Sequence, residues 1–316
     1  MATRELAPKH EFPAILTDAG NAASFAAEEF FEAKLSNDHT RRAYMRYISL
    51  FLERCERGGR TLREITPGDA ARFIGDLAPS VSTQKLALAA LRRFFDLLVT
   101  RHVVLLNPFA SVRGPRQPAA GGRTPEITVP QARQLLDSID TSHLVGLRDR
   151  AVIATLTYTG ARVGALCSLR LQDLRDYGDN RTLCFTEKGG KRRELPVRID
   201  LDGWIASYLA AGSLEEDPKD SPLFRPVTPD RSRLLPHSMH PQLVRDLLKR
   251  RLRDAGLPTI FSPHSFRVMV VTDLLTQDVP IEDVQYLAGH SQPSTTQIYD
   301  RRGKTITRNI VERISV

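Results

Sequence analysis

Six side chains in the second half of the chain are cationic, imidazole or phenolic groups placed at element ends or in turns, where each could face a ligand. Arg162 stands in LTYTGARVGALCSL, where Thr159-Gly160 interrupts one helical stretch and the chain restarts at once. Its guanidinium therefore projects beside a helix start, with two parallel N–H donors that suit a phosphate. In FSPHSFRVMVV, Ser262 and Pro263 supply a helix cap and first position, which places His264 near a helix N-terminus and Arg267 three residues later on the same face. The amides of a helix start favour an anion in the same place. Lys188 lies in Lys188-Gly189-Gly190-Lys191, between two β-prone runs, where a hairpin tip can carry an ammonium to a ligand. In LAGHSQPSTTQIYDRR, Gly289 stops a helix, His290 follows it, and Tyr299 comes nine residues later, after a Ser-Thr-Thr cluster able to cap a short helix. Taken singly, each residue also has an ordinary structural explanation: an arginine paired with a carboxylate, a solvated turn lysine, a packing tyrosine.

The elements that must hold these residues fall into two domains. GPRQPAAGGRTPE, residues 114–126, has three prolines, three glycines and no hydrophobic periodicity, and reads as a linker between a helical domain over 20–113 and a second domain over 127–316. In the first, apolar residues recur at helical spacing around Phe25–Phe31, Ala43–Phe51, Ala70–Leu77 and Leu86–Leu98, which predicts about four helices. Thr66-Pro67 gives a capping hydroxyl before a proline, and Ser82/Thr83 open the next segment. In the second, helices are expected over Val129–Ser138, Leu147–Thr157, Leu243–Ala255, Pro263–Gln277 and Ile281–Leu287. Runs Thr182–Thr186 and Glu194–Ile199 predict a hairpin, and residues 211–237, rich in Asp, Pro and Ser, predict an exposed irregular loop. The fold class is thus mainly α, with an all-helical first domain and an α-rich second domain that carries a small antiparallel sheet.

Composition excludes several classes. The 316 residues carry 45 Lys+Arg against 37 Asp+Glu, a formal charge of +8, and 41% of them are hydrophobic, enough for two cores without staples. Cys55, Cys167 and Cys184 are too few and scattered for a disulfide framework and show no C-x-x-C spacing, so no metal site is expected and a cytoplasmic setting is the simplest. No signal peptide and no run of 18 apolar residues is read, so no membrane partner is expected. A pI near 9.6 is compatible with a polyanion. Residues 1–119 hold 17 Lys+Arg and 13 Asp+Glu, and residues 120–316 hold 28 and 24, so each part is +4 and both could face one anion. Motifs for dinucleotides, P-loop phosphates, H-E-x-x-H zinc and G-x-S-x-G nucleophiles are missing from the sequence.

Together the six residues, in this order and spacing, resemble the active site of the tyrosine recombinases, or phage integrase family, in their Xer-like two-domain form. The family's T-G-L-R-x-x-E-L, G-K-G-x-K-x-R, H-x-L-R-H and L-G-H-x-x-x-x-T-T-x-x-Y correspond to TGARVGAL at 159–166, EKGGKRR at 187–193, HSFRV at 264–268 and AGHSQPSTTQIYDR at 288–301. The first domain, with SNDHTRRAYMRYISLFLE, LREITPGDAARFIGDL, LRRFFDLL and NPFASVRGP, is similar to the family's SAM-like core-binding domain, so the likeness runs from about residue 20 to the end. With only about 20 residues before the first family-like helix, no added arm-binding domain is expected.

The resemblance implies a site-specific recombinase that cuts and rejoins double-stranded DNA through a 3′-phosphotyrosine. Tyr299 would be the nucleophile, Arg162 and Arg267 the clamp on the non-bridging oxygens, and Lys188 the acid that protonates the leaving 5′-oxygen. His264 would be a base or orienting imidazole and His290 a donor to the phosphate. It implies no cofactor: cationic side chains take the place of metal ions, and the phosphotyrosine conserves the bond energy without ATP. It also implies a C-shaped clamp on DNA and a homo-oligomeric, tetrameric synapse, with a related recombinase as an optional partner. The tail after Tyr299, with an apolar stripe of Ile306, Ile310, Val311 and Ile314, would then dock on a neighbour.

Two positions depart from the pattern. Ala165 stands where an acid is common and Val268 where a histidine is common, which implies a divergent member rather than an inactive one. Two other readings stay open at this point, a non-catalytic DNA-binding protein of the same fold and a type IB topoisomerase-like enzyme. Candidate backbone contacts are Arg41, Arg42, Lys85, Arg92, Arg93 and the Lys249–Arg253 run.

Overall fold

The computed structural model describes residues 12–35, 37–77, 80–115, 124–178, 180–186, 190, 192–289 and 296. The chain divides into two units, Met1–Ala119 and Ala120–Val316. Residues 116–123, most of the expected linker, lie outside the described part, and residues 114–115 and 124–126 on either side carry no helix or strand.

The first unit is built of helices α1 (Ala14–Thr17), α2 (Asn21–Glu28), α3 (Asp38–Arg57), α4 (Pro67–Asp76) and α5 (Val81–Thr100), with a π-helical turn, Glu29–Ala33, continuing α2. The expected Thr66 start is found as a reciprocal cap: Asp69 N–H donates to the Thr66 side chain, Thr66 N–H donates to the Asp69 carboxylate, and Pro67 occupies the first turn. The α5 start differs from expectation, since the helix opens at Val81 after Ser80, and Ser80 makes no side-chain cap. These helices close on a cluster of phenylalanines. Phe51 packs edge-on against Phe109 at 4.8 Å and Phe73 at 5.0 Å, and Phe30 against Phe31 at 5.2 Å and Phe94 at 5.3 Å.

The second unit contains α6 (Val129–Asp137), α7 (Leu144–Thr159), α8 (Val163–Cys167), β1 (Leu174–Asp176), β2 (Arg181–Thr186), β3 (Arg192–Pro196), α9 (Ile199–Ala211), α10 (Pro241–Asp254), α11 (Pro263–Thr276) and α12 (Ile281–Ala288). A three-stranded antiparallel sheet runs β1-β2-β3, with Phe185 opposite Arg193 and Leu183 opposite both Leu174 and Leu195. Sequence reasoning missed β1 and α9. Its second strand was expected to reach Ile199, but pairing stops at Pro196, Ile199 is exposed, and Arg198 takes the residue before a helix. The signal for α9 was present, because Leu201, Ile205, Tyr208 and Leu209 recur at helical spacing and are all buried. Between α9 and α10 the chain forms turns and takes part in two isolated bridges, so the segment 211–237 is irregular as expected; it is not exposed throughout, because Leu214, Leu223, Phe224 and Arg225 are buried, the three apolar ones in the core of the unit.

Helix α7 is the axis of this unit, buried on most of its circumference. At its start only a glycine fits, because a Cβ on Gly146 would meet the Asp140 carbonyl oxygen at 1.7 Å. In its first turns the fully buried Asp149 carboxylate accepts from Arg148 at 2.6 Å, Arg250 at 2.8 Å and Arg251 at 2.9 Å, which ties α10 to α7. Two members of the Lys249–Arg253 run are therefore tied to the buried Asp149 carboxylate, though both stay partly exposed. Of the other candidate backbone contacts, Arg41 donates to the Leu35 carbonyl and Arg92 to the Phe109 carbonyl, whereas Arg42, Lys85, Arg93, Lys249 and Arg253 are exposed. Among the described residues no helix is long and apolar enough to cross a membrane.

Candidate functional site

Three of the six predicted residues are described, and local backbone chemistry brings them together. Helix α7 ends at Thr159 because Gly160 adopts the left-handed conformation (φ +56°) that glycine alone takes without strain. Ala161 N–H then donates to the Thr159 hydroxyl at 3.2 Å, and extended Arg162 precedes α8. The side chain of Arg162 is exposed, and both of its terminal nitrogens donate to the Gly289 carbonyl, at 3.2 and 3.3 Å. Gly289 is itself the left-handed residue that ends α12, so a guanidinium sits at the negative end of that helix.

Arg267 is 1% exposed, in the second turn of α11, and donates to the Gly160 carbonyl at 2.9 Å. One glycine thus ends the helix before Arg162 and fixes the orientation of Arg267. A Cβ there would lie 3.5 Å from Val270 Cβ and 3.7 Å from Arg267 Cα, so α11 passes close to this turn. The start of α11 is secured as expected at Ser262-Pro263, by a reciprocal cap between Ser262 and Ser265. His264 follows Pro263 and is exposed in part, and its imidazole pKa is held below the ordinary value, first by partial burial and then by the charges of Arg267 and Arg162. The two guanidiniums and the imidazole therefore share one electrostatic neighbourhood, in which the neutral imidazole is favoured and a ligand anion would be welcome.

Arg162 and His264 line a cavity of about 190 Å³ with Ala161, Val163, Ser262, Pro263 and Arg245. Arg245, on α10, was not singled out in the sequence; it sits outside the Lys249–Arg253 run that drew notice, and only the packing of α10 beside α8 and α11 brings it here. The two departures from the pattern are apolar and buried, Ala165 in α8 and Val268 in α11. With an alanine at 165, a partner of Arg162 is the backbone oxygen of Gly289. Lys188, His290 and Tyr299 lie outside the described residues, as does the tail 305–316; Thr296, in the Ser-Thr-Thr cluster, is helical and fully buried. Among the described residues no group of His, Cys, Asp or Glu is placed to hold a metal ion.

The sequence matches the phage integrase family over residues 126–305 and the N-terminal SAM-like domain of phage integrases over residues 26–104. It is 32% identical over 249 residues to tyrosine recombinase XerD of Listeria monocytogenes serotype 4b (strain F2365), an alignment that covers 77% of this chain and 78% of that protein. The fold is similar to that of XerH site-specific recombinase bound to palindromic difH substrate in a post-cleavage complex, with a TM-score of 0.69 and 18% identity over 92% of this chain and 86% of that one. It is also similar to a lambda integrase tetramer bound to a Holliday junction, with a TM-score of 0.62 and 18% identity over 95% of this chain and 85% of that one.

Proposed function

This chain belongs to the phage integrase family and is a tyrosine recombinase of the Xer-like type, an enzyme that cleaves and rejoins DNA strands at specific sites, and from that premise we propose that Tyr299 is its nucleophile and that Arg162, Lys188, His264, Arg267 and His290 serve the phosphate it attacks. The Tyr299 phenolic oxygen forms a bond to phosphorus and the bond from phosphorus to the 5′-oxygen breaks, leaving a 3′-phosphotyrosine. His264 takes or orients the phenolic proton, and Lys188 gives a proton to the departing 5′-oxygen. Religation runs the same steps in reverse, from a 5′-hydroxyl of the new partner strand. A free phenol has a pKa of about 10, so the nucleophile depends on nearby cations and a proton acceptor at neutral pH. Arg162 and Arg267 would meet the non-bridging oxygens, where charge accumulates as phosphorus becomes five-coordinate.

The observation that carries this reading is the meeting of Arg162, His264 and Arg267 across the Gly160 turn, with His264 held toward the neutral, proton-accepting form by burial and by both arginines. Arg162 would exchange the Gly289 carbonyl for the phosphate. The non-catalytic alternative is not favoured, because the relatives are named recombinases. Exposed cations of both units, Lys85, Arg93 and Arg245 among them, would take up DNA backbone phosphates. By analogy with the tetrameric lambda integrase complex, recombination would proceed in a tetramer on two sites, the 305–316 tail docking on a neighbour. The setting would be the cytoplasm.

A nicked suicide duplex containing the target site tests the assignment. Wild-type protein is expected to trap a covalent adduct whose phosphopeptide contains Tyr299, and Tyr299→Phe to bind the same duplex without any adduct. An adduct retained by Tyr299→Phe overturns the assignment, and Tyr286 on α12 becomes the next candidate.

A further inference from the structure

The C-terminal end of α12 is held by two guanidiniums from different elements. Arg162 reaches the Gly289 carbonyl from the solvent side. Arg193, from β3, reaches the Leu287 carbonyl from inside: it is 3% exposed, donates through one terminal nitrogen to that oxygen, and lies 4.9 Å over the ring of its cross-strand partner Phe185. The last carbonyls of a helix have no intrahelical donor, and the negative end of the helix dipole favours a cation there. Phe185 is fully buried in the core of the unit, so its ring fixes the plane of the guanidinium. These two contacts offset the cost of burying the charge and hold the end of α12 at one distance from the base of the hairpin.

The connectivity turns this anchor into a functional one. His290 is the next residue after Gly289, and the chain from there leads to Tyr299. We propose that Arg193 is a positioning residue for strand cleavage, acting through the end of α12 to set where the segment bearing His290 and Tyr299 begins. The need for a second anchor follows from the proposed function, on which this inference rests. When Arg162 leaves Gly289 for the phosphate, the Arg193 contact to Leu287 stays, because it is buried and faces the hairpin. The end of α12 is then held during the step in which the nucleophile must align with phosphorus, where a misplacement of about 1 Å costs on the order of 10² in rate.

The test compares DNA affinity with the rate of covalent adduct formation on the nicked duplex, in full-length protein. Arg193→Met keeps the aliphatic bulk and removes the donors. It is expected to lower the cleavage rate about 100-fold while changing affinity for the site less than threefold. Arg193→Lys, which restores a cation at the helix end, is expected to recover most of that loss and guards against a folding defect in the first variant. A substrate with sulfur in place of the bridging 5′-oxygen separates the routes. A thiolate leaves without a proton, since an ordinary thiol has a pKa of about 8.5, so this substrate bypasses the general acid. It should restore Lys188→Ala toward the wild-type rate and leave Arg193→Met slow. Loss of affinity in parallel with rate, an unchanged rate, or restoration of Arg193→Met by the sulfur substrate would each overturn the proposal. Failure of the sulfur substrate to restore Lys188→Ala would count instead against the role given to Lys188.

Discussion

The two units bury different things. In the first, the described core is apolar, with seven phenylalanines, Phe30, Phe31, Phe51, Phe73, Phe94, Phe95 and Phe109, at its centre. In the second, the buried set includes Arg148, Asp149, Arg193, Arg225 and Arg267 together with Thr155, Thr157, Thr159, Ser265 and Thr296; among the described residues every buried polar or charged side chain belongs to this unit. A buried guanidinium costs several kcal/mol of desolvation unless it is hydrogen-bonded, so a fold of this size that needed only stability would do as well with hydrocarbon. What buried arginines supply is donors of fixed direction. Arg267 and Arg193 are held by backbone oxygens of Gly160 and Leu287, and those oxygens lie at the two helix ends from which the site is built. The first unit, none of whose described cations is fully buried, is suited to gripping a polyanion; the second is suited to aiming charge at one atom.

The sharpest way to break this contrast is to disturb each core by one side chain. Asp149→Asn leaves Arg148, Arg250 and Arg251 around a group that no longer carries charge, and a buried ion pair that loses one partner typically loses about 3–5 kcal/mol. Phe51→Met, which roughly keeps volume, should cost about 1.5 kcal/mol or less. The single tryptophan, Trp204, lies in the second unit and stacks on Tyr158, so its fluorescence reports that unit alone, with circular dichroism following both. Equal losses in the two variants would mean that the ionic hub is no more demanding than the phenylalanine core. The next effect is on rate. Arg267→Ala is expected to lower cleavage on the nicked duplex by about 10²–10³. Arg93→Ala in the first unit should leave the rate alone and reduce the salt slope of binding by about 0.9, the value for one phosphate contact. If Arg93→Ala slowed cleavage of bound DNA, the division between gripping and aiming would fail.

The same contrast explains what could be read from sequence. The first unit was legible because its helices bury one face each, and apolar periodicity reports that directly; the Thr66 cap could be placed to the residue. In the second unit the positions of Arg162, His264 and Arg267 were legible through Gly160, Ser262 and Pro263, whose backbone preferences mark the turns. Their mutual contacts were not, because Arg267 and Gly160 are 107 residues apart and meet only through the packing of α11 on α7. Arg250 and Arg251 read as a basic surface run, since nothing in the sequence tells that Asp149, 101 and 102 residues earlier, faces them. Arg193 lay inside a quoted motif without a role until its bond to Leu287 placed it between hairpin and helix.

The smallest effect is also the one that reads the site most directly. The His264 imidazole has its pKa lowered by burial, then by Arg267, then by Arg162. Because the folded value lies below the ordinary 6.5, the folded state resists the proton that the unfolded chain accepts. The group therefore costs nothing well above pH 6.5 and destabilises the fold as pH falls through 6.5 toward the folded value. In DNA-free protein the neutral imidazole is thus favoured at pH 7, the form that could accept a proton in the role proposed for His264. NMR titration of the ring in DNA-free protein should give a midpoint below 6.5. Arg162→Ala removes one of the two positive charges and should move the midpoint upward. Binding a duplex to the Tyr299→Phe protein should also move it upward, because a phosphate between the arginines offsets both charges. If the duplex left the midpoint in place while Arg162→Ala raised it, the imidazole would sense the guanidinium but not the phosphate. The second unit would then aim its charge somewhere other than the bond being cut.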